Sequence, residues 1–398
     1  MIPRDLAPRL REAARRYPVV TVTGPRQSGK TTLVRSALRG WRYVSLEDPD
    51  TRAFALADPR GFLGQSRGRT VLDEVQRAPA LFSYIQGIVD AQRRPGQFVL
   101  SGSRNFLLAA GVSQTLAGRT RILHLLPLAR SELTGRKPLA PDRLGEAPNR
   151  GVGPPAESLE TVLWTGGYPA IHGAGLPARQ WLADYYQTYL QRDVRDVVNV
   201  GDLEAFDRFM RLSAGRVGQL LNLSSLASDC GVTHSTARRW MSVLEVSFIV
   251  LRLQPWYRNL GKRLVKSPKL YFLDTGLLCY LLGIRRPDEL AHHALRGAVF
   301  ESFVVSEVLK AFVHSGEVPA MGFFRDATGH EVDLLVETRT PPVAVEIKSG
   351  RTVAGDFLDG LRYWRTLKGN AGGGAALVYG GDQAARRDDV AVRPWFAL

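Results

Sequence analysis

The sequence predicts an α/β protein that is built from several domains. Its 398 residues exceed the length of one ordinary domain. Up to residue 135, short apolar strands such as "VVTVT" and "TVLD" alternate with helical patterns, which predicts a parallel sheet covered by helices. From residue 291 onward, an amphipathic helix precedes the strands "EVDLLV" and "VAVEIK", which predicts a second and smaller α/β unit.

The changes of pattern divide the chain into four expected segments. Residues 1–135 form the parallel-sheet domain, and residues 136–160, rich in Pro, Gly and Arg, form a linker. Residues 161–290 show apolar side chains at helical spacing, which predicts a helical domain. Residues 291–398 then form the C-terminal α/β domain.

The first predicted strand runs directly into "GPRQSGKT", which matches the pattern G-x-x-x-x-G-K-[ST], and a helical pattern follows. Glycines in such a loop let several backbone N–H groups converge on a triphosphate. We expect Lys30 to neutralise the β and γ phosphates and Thr31 to offer its hydroxyl to Mg²⁺. The predicted ATP-binding loop comprises Gly24, Pro25, Arg26, Gln27, Ser28, Gly29, Lys30, Thr31 and Thr32.

A later strand, "TVLD", ends in an acidic pair. Asp73 suits a role in holding Mg²⁺, and Glu74 suits polarising the attacking water. Such a pair is weak evidence by itself, because acidic residues are common at strand ends. Its position after a phosphate-binding loop makes a catalytic pair the better interpretation.

Two further positions are candidates for the same site. The strand "FVLSG" is expected between the two strands above, and Ser101 and Ser103 at its end both suit contact with the γ phosphate or the water, with Ser103 taken as the catalytic candidate. Arg119, or alternatively Arg121, suits stabilising the transition state in a neighbouring subunit, which would require a homo-oligomer. The alternative for these arginines is an exposed or DNA-facing role.

Several stretches together carry a resemblance to a known family. "GPRQSGKTTL", "VLDEVQRAP", "LSGSRNFLL", "LAGRTRILHL", "LDTGLLCYLLG" and "VAVEIKSG" resemble a widespread prokaryotic family of AAA+-type P-loop ATPases. The resemblance covers almost the whole chain and implies Walker A and Walker B motifs, ATP and Mg²⁺ as cofactors, and a sensor residue at Ser101 or Ser103. The C-terminal region of this family has long been of unknown function.

Composition adds an expectation about partners. The net charge of +15 and the pI near 10.1 favour an anionic partner, nucleic acid first, although arginine enrichment of the whole proteome is an alternative. No apolar stretch is long enough to cross a bilayer, and the first residues carry no signal-peptide pattern, so a cytoplasmic location is expected. The two cysteines, Cys230 and Cys279, have no metal-ligand spacing and are expected to be buried thiols.

Residues 222–245 have the pattern of a helix-turn-helix. Gly231 suits the turn, and Thr233 suits the N-cap of a second helix. The apolar spacing leaves His234, Ser235, Arg238 and Arg239 on the exposed face of that helix, where a recognition helix contacts DNA. A hairpin follows, and the whole unit resembles a winged helix. Its basic residues near the tip are Arg258, Lys262, Arg263, Lys266 and Lys269, beside Trp256 and Tyr257. This clustering favours DNA contact over a purely packing role.

The C-terminal strands place charged side chains in a recognisable order. Glu346 and Lys348 lie on one face of a strand, and a hairpin could bring Asp333 beside Glu346. With Glu301 on the preceding helix, the order resembles the PD-(D/E)xK nuclease fold. Asp333 and Glu346 would then hold a metal ion, and Lys348 would orient a water. The alternative is a nuclease-like domain that keeps the fold for structure or DNA binding only.

The sequence thus favours a DNA-associated, Mg²⁺-dependent ATPase with a winged-helix domain and a nuclease-like domain. Two other classes stay open: an ATP-dependent nuclease of defence or repair, and a nucleotide-dependent regulatory switch that binds proteins.

Overall fold

The computed structural model describes residues 1–65, 68–102, 115–148, 152–189, 202–256, 266–367 and 369–398. It divides into two compact units. The first comprises Met1–Leu128, Val246–Phe248 and Val313–Glu317, and the second comprises Ala129–Glu245, Ile249–Phe312 and Val318–Leu398. Within the described residues, no helix has the length and apolar character needed to cross a membrane.

The first unit contains a five-stranded sheet flanked by helices. Its strands are β1 (Val19–Thr23), β2 (Arg42–Ser45), β3 (Thr70–Asp73), β4 (Phe98–Gly102) and β5 (Thr120–His124), and its helices are α1 (Ala7–Arg16), α2 (Lys30–Ala37), α3 (Pro49–Ala57), α4 (Pro59–Gly64) and α5 (Leu81–Gln92). All neighbouring strands are parallel, in the order β2-β3-β4-β1-β5. The predicted parallel sheet is therefore confirmed, and so is the position of β4 between β1 and β3.

Apolar side chains that point alternately to either side of these strands cover both faces of the sheet. Leu72 and Leu100 belong to one buried apolar cluster, whereas Val71 and Val99 belong to another. Consecutive side chains of a strand point to opposite faces, so β3 and β4 each contribute to both clusters. Because the strands are parallel and in register, their carboxyl ends meet at one edge of the sheet.

The second unit begins with a helical region. Its helices are α6 (Arg130–Thr134), α7 (Leu159–Thr165), α8 (Pro169–Ala174), α9 (Ala178–Tyr189), α10 (Leu203–Ala214), α11 (Leu223–Cys230), α12 (His234–Val246), α13 (Thr275–Leu281) and α14 (Pro287–Ala291). A two-stranded antiparallel hairpin lies within it, made of β6 (Val250–Leu253) and β7 (Lys269–Phe272). The predicted helix pair and hairpin are thus present.

The rest of the second unit is a mixed sheet with two helices, α15 (Arg296–His314) and α16 (Asp359–Thr366). Its strands are β8 (Met321–Arg325), β9 (Glu331–Val336), β10 (Val343–Lys348), β11 (Ala375–Tyr379), β12 (Ala385–Arg387) and β13 (Val390–Pro394), in the order β12-β13-β11-β10-β9-β8. The predicted C-terminal α/β sheet is confirmed. One buried apolar cluster runs through both the helical region and this sheet, and the predicted segment limits at residues 135, 160 and 290 stay predictions.

Buried Asp274 joins two parts of the helical region. Its carboxylate caps α13 by accepting the N–H of Leu277 at 2.9 Å and also accepts the N–H of Gly167 at 2.7 Å. Burial raises the pKa of Asp274, which the two backbone donors oppose. A side chain that satisfies two buried amides is costly to remove, because both amides then lack a partner.

We therefore predict that Asp274→Ala lowers the free energy of unfolding by about 2–3 kcal/mol. The matched control is Asp202→Ala, which removes the exposed cap of α10 and its bond from the N–H of Ala205; its expected cost is about 1 kcal/mol. Urea unfolding of the two variants checks the prediction. Equal losses of unfolding free energy would show that the bond from the N–H of Gly167 to Asp274 adds no stability.

Candidate functional site

The phosphate-binding loop lies between β1 and α2, at the carboxyl edge of the parallel sheet. At Gly24, a Cβ atom would stand 2.1 Å from the carbonyl oxygen of Leu125, so only glycine fits. Gly29 has φ 91° at the N-cap of α2, in the left-handed region that favours glycine. The two fixed glycines of the sequence pattern are therefore explained by close approach and by backbone conformation.

The lysine of the loop is held within it. Lys30 begins α2, is 5% exposed, and its Nζ donates to the carbonyl oxygens of Gly24 at 3.1 Å and Pro25 at 2.7 Å. The hydroxyl of Ser28 is fully buried and has no hydrogen-bond partner among the described residues. With the amide end of α2, these groups supply hydrogen-bond donors that suit a phosphate chain.

Asp73, the last residue of β3, is the centre of the hydrogen bonds at this edge. Its Oδ2 accepts the hydroxyl of Thr31 at 2.7 Å and that of Tyr43 at 2.6 Å, and its Oδ1 accepts the hydroxyl of Ser101 at 2.5 Å. The structure therefore brings together Thr31 and Asp73, the two residues predicted to hold Mg²⁺. Hydroxyl and carboxylate oxygens are the ligands that Mg²⁺ prefers, so this donor set fits the ion.

Glu74 takes a strained position next to Asp73. Its φ of 55° and ψ of 40° lie in the left-handed region, which is uncommon for residues other than glycine. The side-chain amide of Gln76 donates to Glu74 Oε2 at 2.5 Å. A Cβ atom on Gly102 would stand 2.1 Å from Gln76 Oε1, so Gln76 fills the space at the end of β4. Strain of this kind is characteristic of functional sites.

The structure describes three of the four other candidates for this site. Ser101 contacts Asp73, whereas Ser103 lies outside the described residues. Arg119 precedes β5 and forms a two-point ion pair with Asp90, at 2.6 and 2.9 Å. Since Val19 pairs with Thr120, Arg119 lies at the amino edge of the sheet, opposite the phosphate loop. Arg121 donates to the carbonyl of Gly316.

The helix pair α11 and α12 has the predicted local structure. Gly231 ends α11 with φ 71°, and Thr233 Oγ1 accepts the N–H of Thr236 at 3.2 Å, as an N-cap does. The predicted apolar positions of α12 are buried, and His234, Ser235, Arg238 and Arg239 are exposed. The exposed face therefore carries the predicted cations, while DNA contact itself stays a prediction.

The hairpin corrects the expectation that Lys269 belongs to an exposed basic tip. Lys266 is exposed as expected, but Lys269 is 3% exposed and faces carboxylates, so it is not a surface cation. Trp256 is also buried. Its ring packs edge-on against that of Trp364, with 5.1 Å between the ring centroids, and its Nε1–H donates to Glu337 Oε2 at 3.0 Å. Arg258, Lys262 and Arg263, together with Tyr257, lie outside the described residues.

The C-terminal candidates come together around two lysines. Asp333 on β9 and Glu346 on β10 belong to an antiparallel hairpin, as predicted, and Lys348 Nζ lies 2.6 Å from Glu346 Oε1 and 3.9 Å from Asp333 Oδ2. Glu301 on α15 lies instead 3.0 Å from Lys269 Nζ. We name as the acid–lysine cluster the residues Lys269, Glu301, Glu331, Asp333, Glu346 and Lys348.

Burial and repulsion shift the protonation of this cluster. Burial first, and then the charge of Asp333, raises the pKa of Glu346 to about 8 and that of Glu301 to about 7. Burial lowers the pKa of Lys269, but the carboxylates of Glu301 and Asp333 outweigh it and raise that pKa above its ordinary value. Lys269 therefore stays charged among its acids.

A metal ion does not fit these residues as they stand. Among the described residues, no group of three or more His, Cys, Asp or Glu side chains is arranged to hold one. Lys269 takes a position between Glu301 and Asp333 that a cation would need. The metal-binding role of Asp333 and Glu346 stays a prediction, and the geometry disfavours it.

Three residues of these sites could not be singled out from the sequence. Tyr43 and Gln76 contact the acidic pair, and Lys269 contacts the C-terminal carboxylates. Tyr43 and Gln76 stand in ordinary local patterns. The sequence pattern places Lys269 among the basic residues of the hairpin, and nothing in that pattern shows that it is buried.

Comparison with known protein families agrees with the site at the phosphate-binding loop. A family model described as "AAA domain" matches residues 16–134, and two described as "Domain of unknown function", DUF8612 and DUF4143, match residues 156–288 and 296–398. The AAA match contains the phosphate loop, Asp73 and Glu74. The chain is a P-loop ATPase of AAA type.

Solved structures give weaker likenesses. The Walker-type ATPase paby2304 of Pyrococcus abyssi is 12% identical with a TM-score of 0.46, over 71% of this chain and 96% of that one. The RuvB Holliday junction branch migration motor of Thermotoga maritima is 18% identical with a TM-score of 0.28, over 63% of this chain and 90% of that one. Likenesses this low assign no function.

Two curated relatives match over most of their length. The uncharacterized proteins Rv2008c of Mycobacterium tuberculosis and Mb2031c of Mycobacterium bovis are each 34% identical over 353 residues, which is 88% of this chain and 74% of the relative. The chain therefore belongs to the same protein family as these two mycobacterial proteins.

Proposed function

We propose that this chain is a DNA-associated, Mg²⁺-dependent ATPase of AAA+ type that couples ATP binding and hydrolysis to DNA binding or remodelling. The observation that carries the proposal is the arrangement at Asp73, whose carboxylate accepts hydroxyls from Thr31 and Ser101 at the mouth of the phosphate loop. This arrangement puts a carboxylate, a hydroxyl and the lysine of the loop at one edge of the sheet.

The residues that would hold Mg²⁺ are Thr31 and Asp73. When bound there, Mg²⁺ neutralises phosphate charge and so favours attack at the γ phosphorus. Lys30 adds a second cation to the same phosphates, and the amide end of α2 adds donors. Glu74 orients the attacking water and accepts its proton, while the amide of Gln76 holds one oxygen of that carboxylate in place.

DNA would bind to the exposed face of α12. Arg238 and Arg239 are exposed there, and Lys266 is exposed at the start of β7. Such cations contact the phosphates of a duplex, and the N-terminal residues of a second helix reach base edges. The overall charge of +15 supports an anionic partner of this kind.

Oligomerisation is part of the proposal through Arg119. This residue lies at the sheet edge opposite its own phosphate loop, so it can act only on the nucleotide of a neighbouring copy. Its two-point ion pair with Asp90 fixes the guanidinium at the surface. We therefore propose a homo-oligomer, and we do not extend the proposal to nuclease activity because Lys269 already compensates the C-terminal carboxylates.

The first prediction separates nucleotide binding from hydrolysis. Lys30→Ala should abolish ATP binding, because the loop loses the cation that faces the phosphates. Glu74→Gln should bind ATP as tightly as the unmodified protein but hydrolyse it at least about 100-fold more slowly, since an amide accepts no proton. Steady-state ATPase rates and fluorescent-nucleotide binding measure the two effects. The control is Glu47→Gln, an exposed acid after β2, and full activity of Glu74→Gln would refute the assignment.

The second prediction concerns the hydroxyls on Asp73. Ser101→Ala should lower kcat about ten-fold and leave ATP binding unchanged, because a neutral hydrogen bond that fixes the carboxylate is removed. Tyr43→Phe removes the hydrogen bond to Oδ2 of Asp73 and should also lower kcat. Ser36→Ala is the control, since its hydroxyl donates within α2 to Leu33 and does not touch Asp73. An unchanged kcat in Ser101→Ala would show that the bond plays no part in turnover.

The third prediction concerns DNA. Reversing the charge at Arg238 and Arg239 should weaken duplex binding, and the slope of log affinity against log salt should flatten by about one for each phosphate that the protein no longer neutralises. Charge reversal at Arg258, Lys262, Arg263 and Lys266 should act in the same way. Arg286→Glu, at an exposed position outside the helix pair, is the matched control. Equal salt slopes in all variants would remove this face as the DNA contact and favour a protein-binding switch.

A further inference from the structure

The acid–lysine cluster contains a cation that belongs to the chain itself. Lys269 Nζ lies 3.0 Å from Glu301 Oε1 and 3.8 Å from Asp333 Oδ1, and it also pairs with Glu331. These three carboxylates come from α15 and β9, whereas the lysine comes from the hairpin strand β7. One ammonium group thus draws together carboxylates from two different elements.

We propose that Lys269 replaces the metal ion of a nuclease-like centre, so that the C-terminal domain takes up no divalent cation. The carboxylates of the cluster instead bind the β6–β7 hairpin through Lys269. The side chain of Lys269 is 3% exposed, so the ammonium cannot swing into water while the fold is intact. A divalent ion placed among the same carboxylates would repel it. Moving the lysine aside would leave a buried charge without partners, which is strongly unfavourable.

The charges of the cluster support this assignment. Its four carboxylates are Glu301, Glu331, Asp333 and Glu346, and they face three cations, Lys269, Lys348 and Arg325, the last at 3.1 Å from Glu331. Four carboxylates against three cations leave at most one negative charge, and the raised pKa values of Glu301 and Glu346 lower that charge further. The chain therefore nearly balances the cluster by itself, and a divalent ion would reverse its sign.

A second contact ties the same hairpin strand to the cluster. Tyr271, two residues after Lys269 and on the same face of β7, donates its hydroxyl to Glu301. Two neighbouring side chains of one strand thus bind one carboxylate of α15. This pairing gives Glu301 a structural purpose that does not involve catalysis.

Within the part of the chain that the structure describes, Glu346 keeps one unpaired carboxylate oxygen in the same cluster. Glu346 Oε2 is buried and has no hydrogen-bond partner among the described residues, while Oε1 of the same side chain pairs with Lys348 at 2.6 Å. Asp333 lies beside it, since its Oδ2 accepts the N–H of Ile347 at 2.9 Å. Neutralising Lys269 would therefore expose several oxygen ligands to a metal ion.

The test measures Mn²⁺ binding to the full chain in the absence of nucleotide and DNA. The electron paramagnetic resonance signal of free Mn²⁺ reports how much of the ion stays unbound. The unmodified protein should bind no Mn²⁺ that depends on Asp333. Lys269→Met should gain one Mn²⁺ per chain, and a second substitution, Asp333→Asn, should remove it. Lys137→Met, which removes an exposed lysine outside the cluster and outside the DNA-binding face, is the control and should match the unmodified protein in Mn²⁺ binding.

Thermal unfolding supplies a second readout. Mn²⁺ should leave the Tm of the unmodified protein unchanged and should raise the Tm of Lys269→Met, because a bound ion restores the missing positive charge. If Lys269→Met does not fold, the double variant Lys269→Met/Glu331→Gln, which removes a carboxylate with the lysine, takes its place. Mn²⁺ binding by the unmodified protein that Asp333→Asn abolishes would overturn the proposal, and so would a folded lysine variant that gains no site.

Discussion

The hydrogen bonds to Asp73 are the interaction on which the ATP site depends. Parallel register brings Asp73 and Ser101 to the same edge of the sheet, and the loop that leaves β1 carries Thr31 to the same carboxylate. The loop in turn can approach only because Gly24 has no Cβ where the carbonyl of Leu125 stands. The position of Asp73, the acid proposed to hold Mg²⁺, is therefore fixed by strand order, by register and by one missing side chain.

The two acidic sites of the chain satisfy their carboxylates in different ways. Asp73 accepts hydrogen bonds from neutral hydroxyls, which hold it in place without adding a positive charge. The carboxylates around Lys269 are instead bonded to an ammonium, which compensates the charge that would attract a metal. In the proposals above, the same residue types thus serve a cation site in one domain and a structural ion pair in the other. The identity of the partner, and not the presence of the acid, separates the two.

Motifs within one short stretch could be predicted from the sequence, because backbone conformation and strand order determine them locally. Gly29 at the helix start, Thr233 at an N-cap and the hairpin that joins Asp333 to Glu346 are of this kind. Contacts between distant stretches could not. Lys269 lies 32 residues before Glu301, and its pattern is that of an ordinary strand lysine near a basic loop. Burial decides its role, and no local pattern of charges reports burial.

This distinction also changes what the basic composition implies. A net charge of +15 counts Lys269 equally with Arg238. Lys269, however, is buried among acids. An anionic partner gains little from a cation whose charge is already compensated, since binding must then break an existing pair. The cations that decide an electrostatic interaction are therefore the exposed ones, such as Arg238 on α12, and their location on one helix face gives the interaction a direction that total charge cannot.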